Sequence, residues 1–138
     1  IYGMTLALER YAPSVDIDHG VVLCRAALDA VSATEEGEIR PSARRDGPSD
    51  GSYGGFSPYI VQAAFPPVPG EVLARVLSDR GIAVSTGSAC AANLTHAEPS
   101  ASEHAVRLSF GRHSTLSEVE RFSRVLSGEL SHLTKVLG

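Results

Sequence analysis

Between Ala105 and Leu137 the spacing of apolar residues changes once. AVRLSF, Ala105 to Phe110, alternates Val106, Leu108 and Phe110 with Arg107 and Ser109, the two-residue period of a half-buried strand. From Thr115 the spacing widens to three and four through Val119, Phe122, Val125, Leu126, Leu130, Leu133 and Leu137, the stripe of an amphipathic helix. Thr115-Leu116-Ser117-Glu118 fits a capping box that would start it. A strand with one apolar face and a helix with one apolar stripe must bury those surfaces, so this end of the chain predicts helices packed on a sheet.

The remaining pattern extends that expectation. Ile1 to Ala12 carries Ile1, Met4, Leu8 and Tyr11 at helical spacing and is closed by Pro13. HGVVLCRAALDAVSA, from His19, repeats the spacing through Val22, Leu23, Ala26, Ala27 and Ala30, with Asp16 or Asp18 as N-cap. Glu38 to Arg40 fits a short strand, and Ser57 to Phe65 a longer one ended by Pro66-Pro67. PGEVLARVLSDRG predicts a short helix burying Val72, Leu73, Val76 and Leu77 and stopped by Gly81, followed by a strand over Ile82 to Ser85. Gly, Pro, Ser and Asp crowd residues 41–56, which predicts a mobile loop, and 86–104 reads as a second loop. The expected fold class is α+β: a small sandwich of a three- to four-stranded, antiparallel or mixed sheet with helices on one face.

Composition narrows the function classes. The 138 residues suit one ordinary domain, with 43% apolar and 20% charged residues and no apolar run of bilayer-spanning length. Twelve basic against sixteen acidic residues leave a net charge of −4, with no basic stripe for phosphates, which argues against a nucleic-acid partner. Two cysteines without a signal-peptide pattern suggest free thiols in a reducing cytoplasm. Lys135 is the sole lysine, and the chain begins at Ile1 on what reads as a helix turn, so a piece of a longer protein is expected.

The two thiols sit in opposite settings. Cys24 lies within VVLCRAAL beside Val21 and Leu28, as a small buried and inert hydrophobe would. Cys90 lies in GIAVSTGSACAAN, where Gly87, Ser88, Ala89, Ala91, Ala92 and Asn93 offer no bulk to bury a side chain, so an accessible thiol is expected. Neighbouring residues show no base that would form the thiolate, and incidental exposure and reactivity both fit. Zinc does not suit Cys90, His96, His104 and His113, whose gaps match no usual spacing. STGSA lacks the Gly-Lys-Ser/Thr ending of a phosphate-binding loop.

GIAVSTGSAC, Gly81 to Cys90, resembles the strand and loop carrying the catalytic cysteine of the cysteine desulfurases, pyridoxal 5'-phosphate enzymes of the class V aminotransferase superfamily. VRLSFGRHSTLSEVERF, Val106 to Phe122, is similar to that family's arginine-bearing strand and the start of its last helix, and PGEVLARVLSDRG to the helix before the cysteine. The resemblance runs from Pro69 to Leu126 and implies the C-terminal small domain of such a fold type I enzyme, Ile1 to Ala12 being the helix that leaves a large domain. It implies that Cys90 takes sulfur from L-cysteine as a persulfide, passing it to a sulfur-acceptor protein, and that Arg107 binds the substrate carboxylate through its planar fork. A nucleophile that must reach both a cofactor site and a second protein belongs on a loop of small residues.

The same resemblance places pyridoxal phosphate outside this chain. The family's cofactor lysine lies in a Ser-X-His-Lys segment of the large domain, and no such segment occurs here. The expectation is therefore a fragment inactive alone, a homodimer when complete, used in iron-sulfur cluster assembly or another sulfur-delivery route. Arg112 matches a family position and is assigned a structural role near the helix start, while His104 and His113 are expected at the surface. Cys90 and Arg107 stand 17 positions apart, nearer the family branch with a compact loop. Two alternatives remain: a class V aminotransferase or lyase acting on another amino acid, and a partner-binding domain derived from such an enzyme.

Overall fold

A computed structural model describes residues 13–44, 56–86 and 103–137. In chain order these form α1 (Pro13–Ser32), β1 (Glu38–Arg40), a 3-10 turn (Ser42–Arg44), β2 (Ile60–Ala64), α2 (Gly70–Asp79), β3 (Ser85–Thr86), β4 (Ala105–Ser109) and α3 (Leu116–Leu137). The four strands make one sheet in the order β1-β2-β4-β3, with every neighbouring pair antiparallel. The expected α+β sandwich is the observed one, and its sheet is antiparallel throughout.

The core lies between one face of the sheet and the helices. Ile39, Val61, Ala63, Val106 and Leu108 project from that face against Leu23, Ala27 and Val31 of α1, Leu73 and Leu77 of α2, and Val119, Phe122, Leu126 and Leu130 of α3. Among the described residues no polar or charged side chain is fully buried. Burial of the Val, Leu, Ile and Phe side chains among them, each worth about 1.5–3 kcal/mol relative to exposure, holds the layers together.

Two helix ends form as their residues dictate. Thr115 Oγ1 accepts from the Glu118 N–H at 3.3 Å, and the Thr115 N–H donates to Glu118 Oε2 at 2.7 Å, closing the capping box of α3. At the end of α2, Gly81 takes φ +75°, its N–H donates to the Ser78 carbonyl, and the Ile82 N–H donates to the Leu77 carbonyl. This left-handed turn is a Schellman stop, with Ile82 folding back onto the core that contains Leu77.

Several expected boundaries move. Pro13 opens α1, where proline lacks only an N–H that the first helical turn leaves unbonded. Asp16 and Asp18 therefore fall inside the helix rather than ahead of its first residue. The expected helix over 1–12 lies outside the described residues. Val22 is 53% exposed, because the buried face of α1 runs through Leu23, Ala27, Ala30 and Val31. Val72 and Leu137 are likewise exposed at the margins of their stripes. The strand expected over Ile82 to Ser85 is instead Ser85–Thr86; Ile82 and Val84 pack against the core, and their backbone stays out of the ladder.

Candidate functional site

Alternation sends every second strand residue away from the helices. On that open face the register aligns one residue from each strand: Arg40 lies opposite Gln62, Gln62 opposite Arg107, and Arg107 opposite Ser85. A polar row thus crosses all four strands at mid-sheet. Arg107, expected as the carboxylate-binding residue, stands half-buried within it. Its flanking residues Val106 and Leu108 are locked into the core, so the register that buries them directs Arg107 outward.

Members of the row differ in what already engages them. Arg40 pairs with Glu38, two residues away on the same strand and face. Among the described residues, the side chains of Gln62, Ser85 and Arg107 make no hydrogen bond or ion pair. A guanidinium offers planar paired donors, and a carboxylate or phosphate matches that fork.

Cys90, expected as the nucleophile, and His96 lie outside the described residues. The geometry still locates the ends of the segment that carries the cysteine. Thr86 is in register with Val106 and β4 begins at Ala105, so the chain leaves the sheet beside Val106 and returns to it two residues before Arg107.

The other singled-out residues have structural partners. Cys24 is buried and free, as expected, and its Sγ accepts a bond from Arg44 Nη2 at 3.0 Å. The same nitrogen donates to the Ser57 carbonyl at 2.7 Å, and the guanidinium lies 5.6 Å from the Phe56 ring centroid. Residues 41–56, expected as a mobile loop, therefore open with an anchored 3-10 turn. His104, expected at the surface, is half-buried, and its Nδ1 is bonded to the Val68 carbonyl at 2.9 Å. His19 Nε2 meets the Ser114 carbonyl at 2.7 Å, tying α1 to the turn before α3. His113 is exposed, and Arg112 occupies that same turn.

A second concavity of about 320 Å³ opens between residues 82–84, the end of β4 and the start of α3, walled by Val84, Phe110 and Phe122. It lies where the β3–β4 ladder stops at Ser85↔Arg107, so that Ala83 and Ser109 do not pair with each other. Among the described residues no three His, Cys, Asp or Glu side chains could jointly hold a metal ion. No described helix is long and apolar enough to cross a membrane.

Residues 56–122, just under half of the chain, match the family model for class-V aminotransferases. That span contains β2, α2, β3, β4 and the capped start of α3. This segment is similar to the class-V aminotransferases. A NifS/IcsS protein homolog of Lactobacillus delbrueckii subsp. bulgaricus is 33% identical over 90 residues, covering 59% of this chain and 23% of the relative. Among solved structures, the NifS-like protein of Rickettsia africae superposes with a TM-score of 0.65 at 15% identity, over 86% of this chain and 30% of that one. The aminotransferase TlmJ of Streptoalloteichus hindustanus gives 0.67 at 18%, over 88% and 33%. The chain thus spans about a quarter to a third of the proteins it matches, and a shared fold is what the structural likenesses establish.

Class-V enzymes use pyridoxal phosphate, and the described residues do not form a site for it. Lys135 lies in the last turn of α3, on the helical side of the sheet, whereas Arg107 faces the opposite side. Gln62 and Arg40 escaped the sequence analysis. Alternation placed each on a strand, but their alignment with Arg107 depends on pairing between distant strands.

Proposed function

We propose that this chain is the C-terminal part of a NifS-like cysteine desulfurase, in which Arg107 binds the carboxylate of L-cysteine and Cys90 takes its sulfur as a persulfide, with alanine released. The observation that carries this reading is Arg107: its guanidinium is directed outward by the register and has no partner among the described residues. It stands two residues from the point where the Cys90 segment rejoins the sheet. Pyridoxal phosphate would be held by another part of a longer protein, so the chain alone would be inactive. A cytoplasmic homodimer and a sulfur-acceptor protein as recipient complete the proposal.

The test is sulfur release from L-cysteine by the complete enzyme. Cys90→Ser should abolish persulfide formation; persulfide at the wild-type level in that variant would overturn the reading. Arg107→Ala should raise the KM for L-cysteine on the order of tenfold or more, since a charge-assisted pair is lost.

The fold likeness to TlmJ, described as an aminotransferase, favours a second reading in which the same open face serves amino-group transfer from another amino acid. Products separate the two: alanine with sulfane sulfur supports the desulfurase, and a keto acid from another amino acid supports the transferase.

A further inference from the structure

The backbone bonding of β4 distinguishes the two neighbours of Gln62. Phe65 N–H donates to the His104 carbonyl, and Phe110 N–H to the Tyr59 carbonyl, so the hydrogen-bonded pairs of the β2–β4 ladder fall at even positions of β4. Gln62 and Arg107 are consequently a non-hydrogen-bonded pair. In an antiparallel ladder such pairs are the closer ones, with Cα atoms about 4.5 Å apart and side chains in lateral reach.

Gln62 is half-buried, and its amide makes no hydrogen bond among the described residues. An amide with no partner within the described fold has its NH₂ donors available to a ligand. Arg40, on the other side of Gln62, has its charge answered by Glu38. The uncompensated positive charge of the row is therefore that of Arg107, with one neutral donor beside it.

We propose that Gln62 is a second carboxylate-binding residue, its amide NH₂ donating to one oxygen of a carboxylate that the Arg107 fork grips. This rests on the reading of Arg107 as the carboxylate anchor. Two donors on neighbouring strands fix the plane of the carboxylate as well as its position, which a lone guanidinium on a long side chain does not. The ligand class is an α-amino acid, recognised by its carboxylate rather than its amine.

The test uses the full chain labelled with ¹⁵N, titrated with L-alanine and, separately, with ethylamine, which keeps the amine and lacks the carboxylate. L-Alanine should shift both the Gln62 side-chain amide and the Arg107 Nε–H resonances along one binding curve, and ethylamine neither. Gln62→Leu, with its backbone spectrum otherwise unchanged, should weaken L-alanine binding about tenfold. A response at Arg107 alone, with unchanged affinity in Gln62→Leu, would overturn the role of Gln62 and leave the Arg107 reading standing. No response at either residue would remove both.

Discussion

Arg107 owes its usefulness to the residues on either side of it. Val106 and Leu108 are buried, and slipping the strand by one residue would place a guanidinium in the core. Arg107→Lys keeps the charge and loses the fork. We expect it to raise KM in the complete enzyme by less than Arg107→Ala does, as steady-state kinetics on L-cysteine would measure. Gly70 constrains the same strand: a Cβ there would stand 2.5 Å from the Ala105 carbonyl oxygen and 3.1 Å from its carbonyl carbon, backbone atoms that cannot swing away. Gly70→Ala should cost about 1–3 kcal/mol, read as a lower urea midpoint. Arg107 was legible because alternation within five residues fixes a strand's two faces. The bond from Arg44 to Cys24 was not, because it joins residues 20 apart through a turn without periodicity.

Helix ends were the most legible elements, since a cap is a local agreement among four or five residues. Thr115→Ala removes the side-chain half of the capping box and should cost about 1 kcal/mol, checked by thermal unfolding. Gly81→Ala forces a side chain into φ +75°. Only Arg121 atoms lie near the new methyl, at 3.4 Å or more, so the cost is conformational, about 1 kcal/mol. The start of α1 shows the opposite case. Proline stops a helix that reaches it and suits one that begins at it, so sequence leaves both readings open at Pro13. β3 was misplaced by four residues' worth of β-branched character in IAVS. Ile82 and Val84 satisfy that preference by packing inward, and pairing begins only at Ser85.

At the scale of the molecule the sheet is two-sided, with one face buried under three helices and the other carrying the polar row. Stability and recognition are thereby assigned to opposite sets of residues. Leu126→Ala, in the buried face of α3, should cost about 2–5 kcal/mol in urea unfolding and leave L-alanine binding unchanged in conditions where the variant is folded. Thiol labelling probes the same division. Cys24 is 8% exposed and should react slowly in the native chain, so a single fast equivalent is expected, lost in Cys90→Ser.

The pairing of Thr86 with Val106 carries an evolutionary consequence. The segment bearing Cys90 departs and returns on adjacent strands, so its two anchors stay together however many residues lie between them. Each doubling of such a segment adds only about 0.6 kcal/mol of closure entropy. Descendants of one ancestor can therefore lengthen or shorten the segment that bears Cys90, which under the proposed function would match it to different sulfur recipients, while Arg107 stays where the sheet put it.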